Sequence, residues 1–166
     1  MNGLTIRHEQ PRDKDAIFAL TKAAFATMPF SDGDEPELVN QLRSDGDLTL
    51  SLIAEKDRVL VGHIAFSPVR ISDRAQDWYS LGPVSADIHL QRQGIGSALI
   101  NTGIAEMKGR GARGIILLGS NEYYPRFGFE HKPQLTYPGP PPEFFQALLL
   151  AGEWPSGEVK YAPAFG

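Results

Sequence analysis

The sequence predicts an α/β domain of the α+β kind, a mixed sheet with helices packed on it in three layers. Three observations predict it. The segments 13–26 and 94–108 carry apolar residues at helical spacing. Between them, 48–55 and 59–67 read as two strands joined by a short polar break. Beyond them, the apolar run Ile115-Ile116-Leu117-Leu118 reads as a strand buried on both faces. A strand, a helix and then a buried strand make a βαβ unit, which crosses over right-handedly.

Taken in order, Leu4-Thr5-Ile6-Arg7 alternates apolar and polar, as a first strand should. The helix Asp13–Ala26 follows, with Ile17, Leu20 and Ala24 on one face and Asp13 as its N-cap. Met28–Asp34 is a loop carrying Pro29, Asp32, Gly33 and Asp34. Pro36 near a helix start, with Leu38, Val39 and Leu42 behind it, gives a short second helix. The strands Leu48–Glu55 and Val59–Ser67 join at Lys56-Asp57 as a hairpin. Trp78–Ala86 is a further strand, and the Gly82-Pro83 pair inside it predicts a bulge or a splayed edge.

Gly94–Lys108 is a helix whose apolar face holds Leu99, Ile100, Gly103, Ile104 and Met107, and Gly109, Gly111 and Gly114 mark its end. After the buried strand come a short helix at Glu122–Phe127 and late strands at Phe129–Lys132, Phe144–Leu150 and Gly157–Tyr161. The proline cluster Pro138-Gly139-Pro140-Pro141-Pro142 reads as a rigid surface connection. It is too short and too late to separate two domains, so 1–166 reads as one domain.

Composition narrows the chemistry. The chain has 166 residues, long enough to bury a core without metal or disulfide staples. Its formal charge is −4, where a polyanion binder shows a basic surplus, so nucleic acid is not the expected partner. There are no cysteines, which excludes a disulfide framework, thiolate-bound metal and a thiol nucleophile. The four histidines, His8, His63, His89 and His131, lack metal-site spacing, so no metal is expected. No apolar run is long enough to span a membrane, and Met1–His8 lacks the pattern of a signal peptide. The compartment expected is the cytoplasm.

The segment that carries chemistry is Gln91-Arg92-Gln93-Gly94-Ile95-Gly96-Ser97, between a strand and a helix. Glycines there let the backbone approach a ligand, and the helix start offers unpaired N–H groups and the positive end of its dipole. Together these suit a phosphate. Taken alone, the same glycines equally suit tight strand–helix packing. A dinucleotide fingerprint needs a third small residue where Leu99 stands, and a Walker A loop needs Gly-Lys-Ser/Thr, which is absent.

Gln91-x-x-Gly94-x-Gly96 resembles the acetyl-CoA pyrophosphate loop of the GNAT N-acetyltransferases. About thirty residues on, Tyr123-Tyr124-Pro125-Arg126-Phe127-Gly128-Phe129 resembles that family's Y-x-x-x-G-F signature. The order of elements is also the family's. With Leu81-Gly82-Pro83 and the closing Tyr161–Phe165, the chain is most similar to a branch of predicted bacterial acetyltransferases. Two places depart from the family's pattern. Ala86–Leu90 lacks a proline common there, and Leu117 stands where many members carry an asparagine. Ser120 or Asn121 could replace that contact, and each also reads as a cap for the short helix.

The resemblance implies a mostly antiparallel sheet with a splayed central pair of strands, and acetyl-CoA as cosubstrate. Its pyrophosphate would lie on Arg92, Gln93, Gly94, Ile95, Gly96 and Ser97, with Gln91 opening the motif. Its pantetheine arm would pair with Val84, Ser85 and Ala86, where a backbone N–H polarises the thioester carbonyl. Arg92 reads either as a cation for the phosphates or as a solvated loop residue. Tyr124, four residues before Gly128, would donate a proton to the leaving thiolate, in preference to its neighbour Tyr123. The acceptor would be a small-molecule or peptide amine, attacking directly. Candidates for its base are Asp32, Asp34, Glu35, Glu37, His63, Asp87 and His89, and water serves equally. The resemblance also allows a homodimer. Against the enzyme stand two other readings: a CoA-binding sensor or scaffold without turnover, and a structural domain using its glycines for packing.

Overall fold

The computed structural model describes residues 3–28, 31 and 33–166. Its main sheet has six strands: β1 (Leu4–His8), β2 (Leu50–Lys56), β3 (Val59–Pro68), β5 (Trp78–Ala86), β6 (Gly114–Leu118) and β8 (Phe145–Leu149). They lie in the order β1-β2-β3-β5-β6-β8, all antiparallel to their neighbours except the parallel pair β5 and β6. A second sheet, which the sequence does not announce, joins β4 (Arg70–Ile71), β9 (Gly157–Lys160) and β7 (Leu135–Thr136). The helices are α1 (Lys14–Phe25), α2 (Glu35–Asp45) and α3 (Ile95–Gly109).

Strand alternation assigns the faces. Leu50, Leu52, Ile64, Phe66 and Leu81 pack with Leu99, Ile100 and Met107 of α3. On the other face Ile53 packs with Ile17 of α1 and Val39 of α2. Near β6 that face is covered by the small sheet, where Trp78, Ile116, Phe145 and Val159 meet. The hairpin turn at Asp57 and Arg58 has both residues at positive φ, 52° and 65°, which is the two-residue geometry that matches strand twist. Gly62 seats the start of α3: a Cβ there would stand 2.6 Å from Ile95 Cγ2.

Four local expectations change. Asp13 does not cap α1 with its side chain. Its carboxylate instead accepts from Arg7 Nη1 and Nη2 at 2.8 and 3.0 Å and from the Gln10 N–H, so the charge pair outcompetes the cap. Phe129–Lys132 is not a strand but a single bridge of Glu130 with Ala147. The chain turns at once, with Leu135 N–H donating to Lys132 O, and Pro133 has no N–H for a ladder. The short helix is a 3-10 turn at Tyr124–Phe127, and Ser120 Oγ accepts from the N–H of Glu122 and Tyr123 just before it. Leu118 is 39% exposed, because β6 ends there beyond the point where β5 has left it.

Candidate active site

The central pair of strands opens as expected. β5 pairs with β6 only at Trp78, Tyr79 and Ser80, opposite Gly114, Ile115 and Ile116. From Leu81 to Ala86, β3 is its only strand partner among the described residues. The cause is local. Leu81 faces Phe66 and Val84 faces Ile64, so Gly82-Pro83 stands as two residues against Ala65. That bulge turns the strand, and proline has no N–H to offer a ladder. The result is a cleft floored by the free edge of β5, beside Val84, Ser85 and Ala86.

The cleft leads to the start of α3. Asp87 makes the turn out of β5: its Oδ1 accepts from the His89 N–H at 2.8 Å, and Leu90 N–H donates to its carbonyl. Gln91, Arg92, Gln93 and Gly94 are exposed. Arg92 takes the left-handed region at φ 68°, and Gly94, the N-cap, sits there at φ 85°. In α3 the first bond runs from Ala98 N–H to Gly94 O, so the N–H groups of Ile95, Gly96 and Ser97 have no carbonyl one turn back. The side chain of Ile95 is buried in the core, which fixes the helix end while leaving its amides outward. At Gly96 an added Cβ would meet nothing nearer than Tyr123 Oη at 4.0 Å, so the approach to these amides is open.

The tyrosine turn closes the other side. Tyr124 packs edge-on against Tyr123 and Phe129, and its ring lies against Gly119. Burial, with the Tyr123 phenol beside it, pushes the Tyr124 hydroxyl up to about 12. It is therefore a protonated donor at any working pH. Tyr123, which the sequence offers only as a rival donor, has another place: its hydroxyl and Ser97 Oγ are 2.9 Å apart, a bond that ties this turn to the start of α3. Arg126 lies over the Tyr123 ring at 4.4 Å and donates from Nε to the Tyr123 carbonyl. Only the order of the two motifs along the chain hinted at such a contact.

The candidate bases stand in unlike surroundings. His63 is wholly enclosed, and burial pushes it down to about 4, so it is neutral. Asp87 is occupied in its turn. Glu35 accepts from Ser31 Oγ at 2.6 Å, Asp34, Glu37 and His89 are exposed, and Asp32 lies outside the described residues. Leu117 is a core residue. Among the described residues, no group of three or more acidic or histidine side chains could hold a metal ion, and no helix is long and apolar enough to cross a membrane.

Comparison with known proteins agrees with this geometry. The acetyltransferase (GNAT) family profile matches residues 15–129. N-acetyltransferase YhbS of Escherichia coli is 35% identical over 141 residues, 82% of this chain and 81% of that protein. A GNAT family acetyltransferase from Brucella melitensis, crystallised with acetyl-CoA, superposes with a TM-score of 0.89 at 43% identity over the full length of both chains. E. coli YhbS, crystallised with CoA, also superposes at 0.89, at 32% identity over 98% of this chain and 91% of that one. The chain therefore belongs to the GNAT family of acetyl-CoA-dependent N-acetyltransferases.

Proposed function

We propose that this protein transfers the acetyl group of acetyl-CoA to a primary amine of a small molecule or peptide, in the cytoplasm, by direct attack of the amine on the thioester. The observation that carries the reading is the cleft between β5 and β6, which runs from a free strand edge to the unpaired amides of α3. The amides of Ile95, Gly96 and Ser97, with the helix dipole, hold the pyrophosphate. Gln91 and Gln93 shape the loop, its left-handed turns at Arg92 and Gly94 aim the amides, and Arg92 adds a cation at its exposed tip. Main-chain groups of Val84, Ser85 and Ala86 orient the pantetheine arm and polarise the thioester carbonyl.

Two proton tasks remain. Tyr124, neutral and protonated, donates to the sulfur as the thiolate leaves. An ammonium, with a pKa near ~10.4, must lose one proton before it attacks. Water serves for that proton without a base from the chain; among the candidates, His63 is enclosed and Asp87 accepts from the His89 N–H in its turn. The absence of cysteine agrees with direct attack. A screen of amine classes that reads released CoA tests the proposal: release should depend on an amine and vanish in Gly96→Glu. Tight acetyl-CoA binding without release over every class would favour the sensor instead.

A further inference from the structure

A polar line crosses the face of the sheet beneath α1 and α2, and acetyl transfer as described does not use it. Arg43 on α2 donates from Nε and Nη2 to the two carboxylate oxygens of Glu9, both at 2.8 Å. Burial alone would raise Glu9, but the Arg43 and Ser51 hydrogen bonds and the Arg43 charge hold it below the usual carboxylate range. Glu9 is therefore an anion and accepts only. Ser51 on β2 has one hydroxyl proton, and its 2.6 Å bond to Glu9 Oε1 uses it. The 2.8 Å contact between Ser51 Oγ and His63 Nε2 must then run the other way, with the ring N–H donating. This makes His63 the Nε2–H tautomer and leaves Nδ1 a bare acceptor.

Among the described residues, that Nδ1 is buried with no hydrogen-bond partner, and so is Ser85 Oγ on β5. His63 and Ser85 are direct cross-strand partners, 0% and 2% exposed, so their side chains leave the sheet side by side on one face. It is the face of Ile53, which pairs with His63 and packs under α1 and α2. The Ser85 side chain thus lies on the face of α1 and α2, away from the face packed by α3, and it carries the O–H that Nδ1 lacks. Two adjoining orphans of complementary kind are a pair awaiting one bond or one bridging water.

We propose that Glu9, Ser51 and His63 are positioning residues for acetyl transfer: they direct the Ser85 hydroxyl onto His63 Nδ1, directly or across one buried water, and so fix the open half of β5. The proposal rests on the reading of that half as the strand that meets the thioester. Having lost β6, this half has β3 as its one ladder partner among the described residues, and a side-chain tie across the same pair adds restraint where a backbone N–H must be aimed. At its far end the line opens to a pocket of about 290 Å³ lined by Glu9, Arg43 and Ser51, at the end of the sheet away from the cleft.

Calorimetric titration of acetyl-CoA and of CoA into the wild type, Ser51→Ala, Ser85→Ala and the double variant tests it, with thermal melts alongside. Ser51 stands opposite Ala65 and Ser85 opposite His63, so the two serines are not partners of each other. Each single change should weaken acetyl-CoA about fivefold more than CoA, which lacks the thioester carbonyl that this strand aims at. The double variant should lose no more than the larger single, and Ser51→Thr should restore binding. The ¹⁵N shifts of the His63 ring should report Nε2–H in the wild type and mixed tautomers in Ser51→Ala. Additive losses, equal losses for both ligands, or an Nδ1–H ring in the wild type would overturn the line alone. A wild type that fails to bind acetyl-CoA would overturn the cofactor reading, and this proposal with it.

Discussion

The two halves of β5 are made of one strand but held in different ways. Trp78–Ser80 is paired on both edges, and the Trp78 side chain is buried among Ile116, Phe145 and Val159. Leu81–Ala86 is paired on one edge and ends in a glycine loop. A backbone edge inside a protein is costly unless something completes it. The paired half is therefore built for stability and the open half for a ligand, and Gly82-Pro83 is the hinge between the two roles. The comparison predicts that changes in the first half move stability and spare affinity, and that changes around the second do the reverse.

The largest expected effect is on stability. Trp78→Ala should cost about 3–5 kcal/mol. At this chain length that lowers the melting temperature by roughly 10 °C. Acetyl-CoA affinity measured well below the melt should stay within about threefold of the wild type. A large loss of affinity in a folded variant would show that the halves are not separable. Next comes Gly96→Glu, which puts bulk and negative charge on the amides of α3. Affinity should fall by at least ~100-fold, or about 3 kcal/mol, with little change in melting, because the site at Gly96 is open.

Tyr124→Phe should lower turnover by roughly 100-fold while binding changes by about twofold at most, the range expected for loss of a positioned acid. An unchanged rate at neutral pH would remove Tyr124 from the mechanism. A fourth effect comes from pH. Burial lowers His63 from 6.5 to about 4 in the fold, so the unfolded chain binds the extra proton between those values. The stability that the neutral ring provides is full above 6.5 and is lost as pH falls toward 4. By pH 5 the loss should be on the order of 2 kcal/mol in urea unfolding. His63→Gln should flatten that window, and equal slopes in the two proteins would contradict the burial of a neutral ring. The smallest effect is at Tyr123→Phe, which breaks one hydrogen bond to Ser97 and should weaken acetyl-CoA by about fivefold with little change in turnover.

The open half of β5 was more legible in the sequence than the scaffold around it. Gly94 and Gly96 alone equally suit helix packing and point to a ligand only together with the tyrosine signature about thirty residues on, whereas Gly82-Pro83 has few other uses within a strand. Asp13 stands at the N-cap position of α1 as its place in the sequence suggests, but its carboxylate turns to Arg7, which only the fold brings to it. Phe129–Lys132 had the composition of a strand, but one proline after it stopped the ladder. The link from Tyr123 to Ser97 joins residues 26 apart. The line through Glu9, Arg43, Ser51 and His63 depends on strand register, and each residue by itself is ordinary.

The most direct test of this account is a titration of ¹⁵N-labelled protein with acetyl-CoA, following backbone amides. The account predicts large shifts at Val84, Ser85, Ala86 and Arg92–Ser97, and near silence at Trp78, Tyr79 and Ser80. Equal shifts along both halves of β5, or shifts confined to residues away from the cleft, would contradict it.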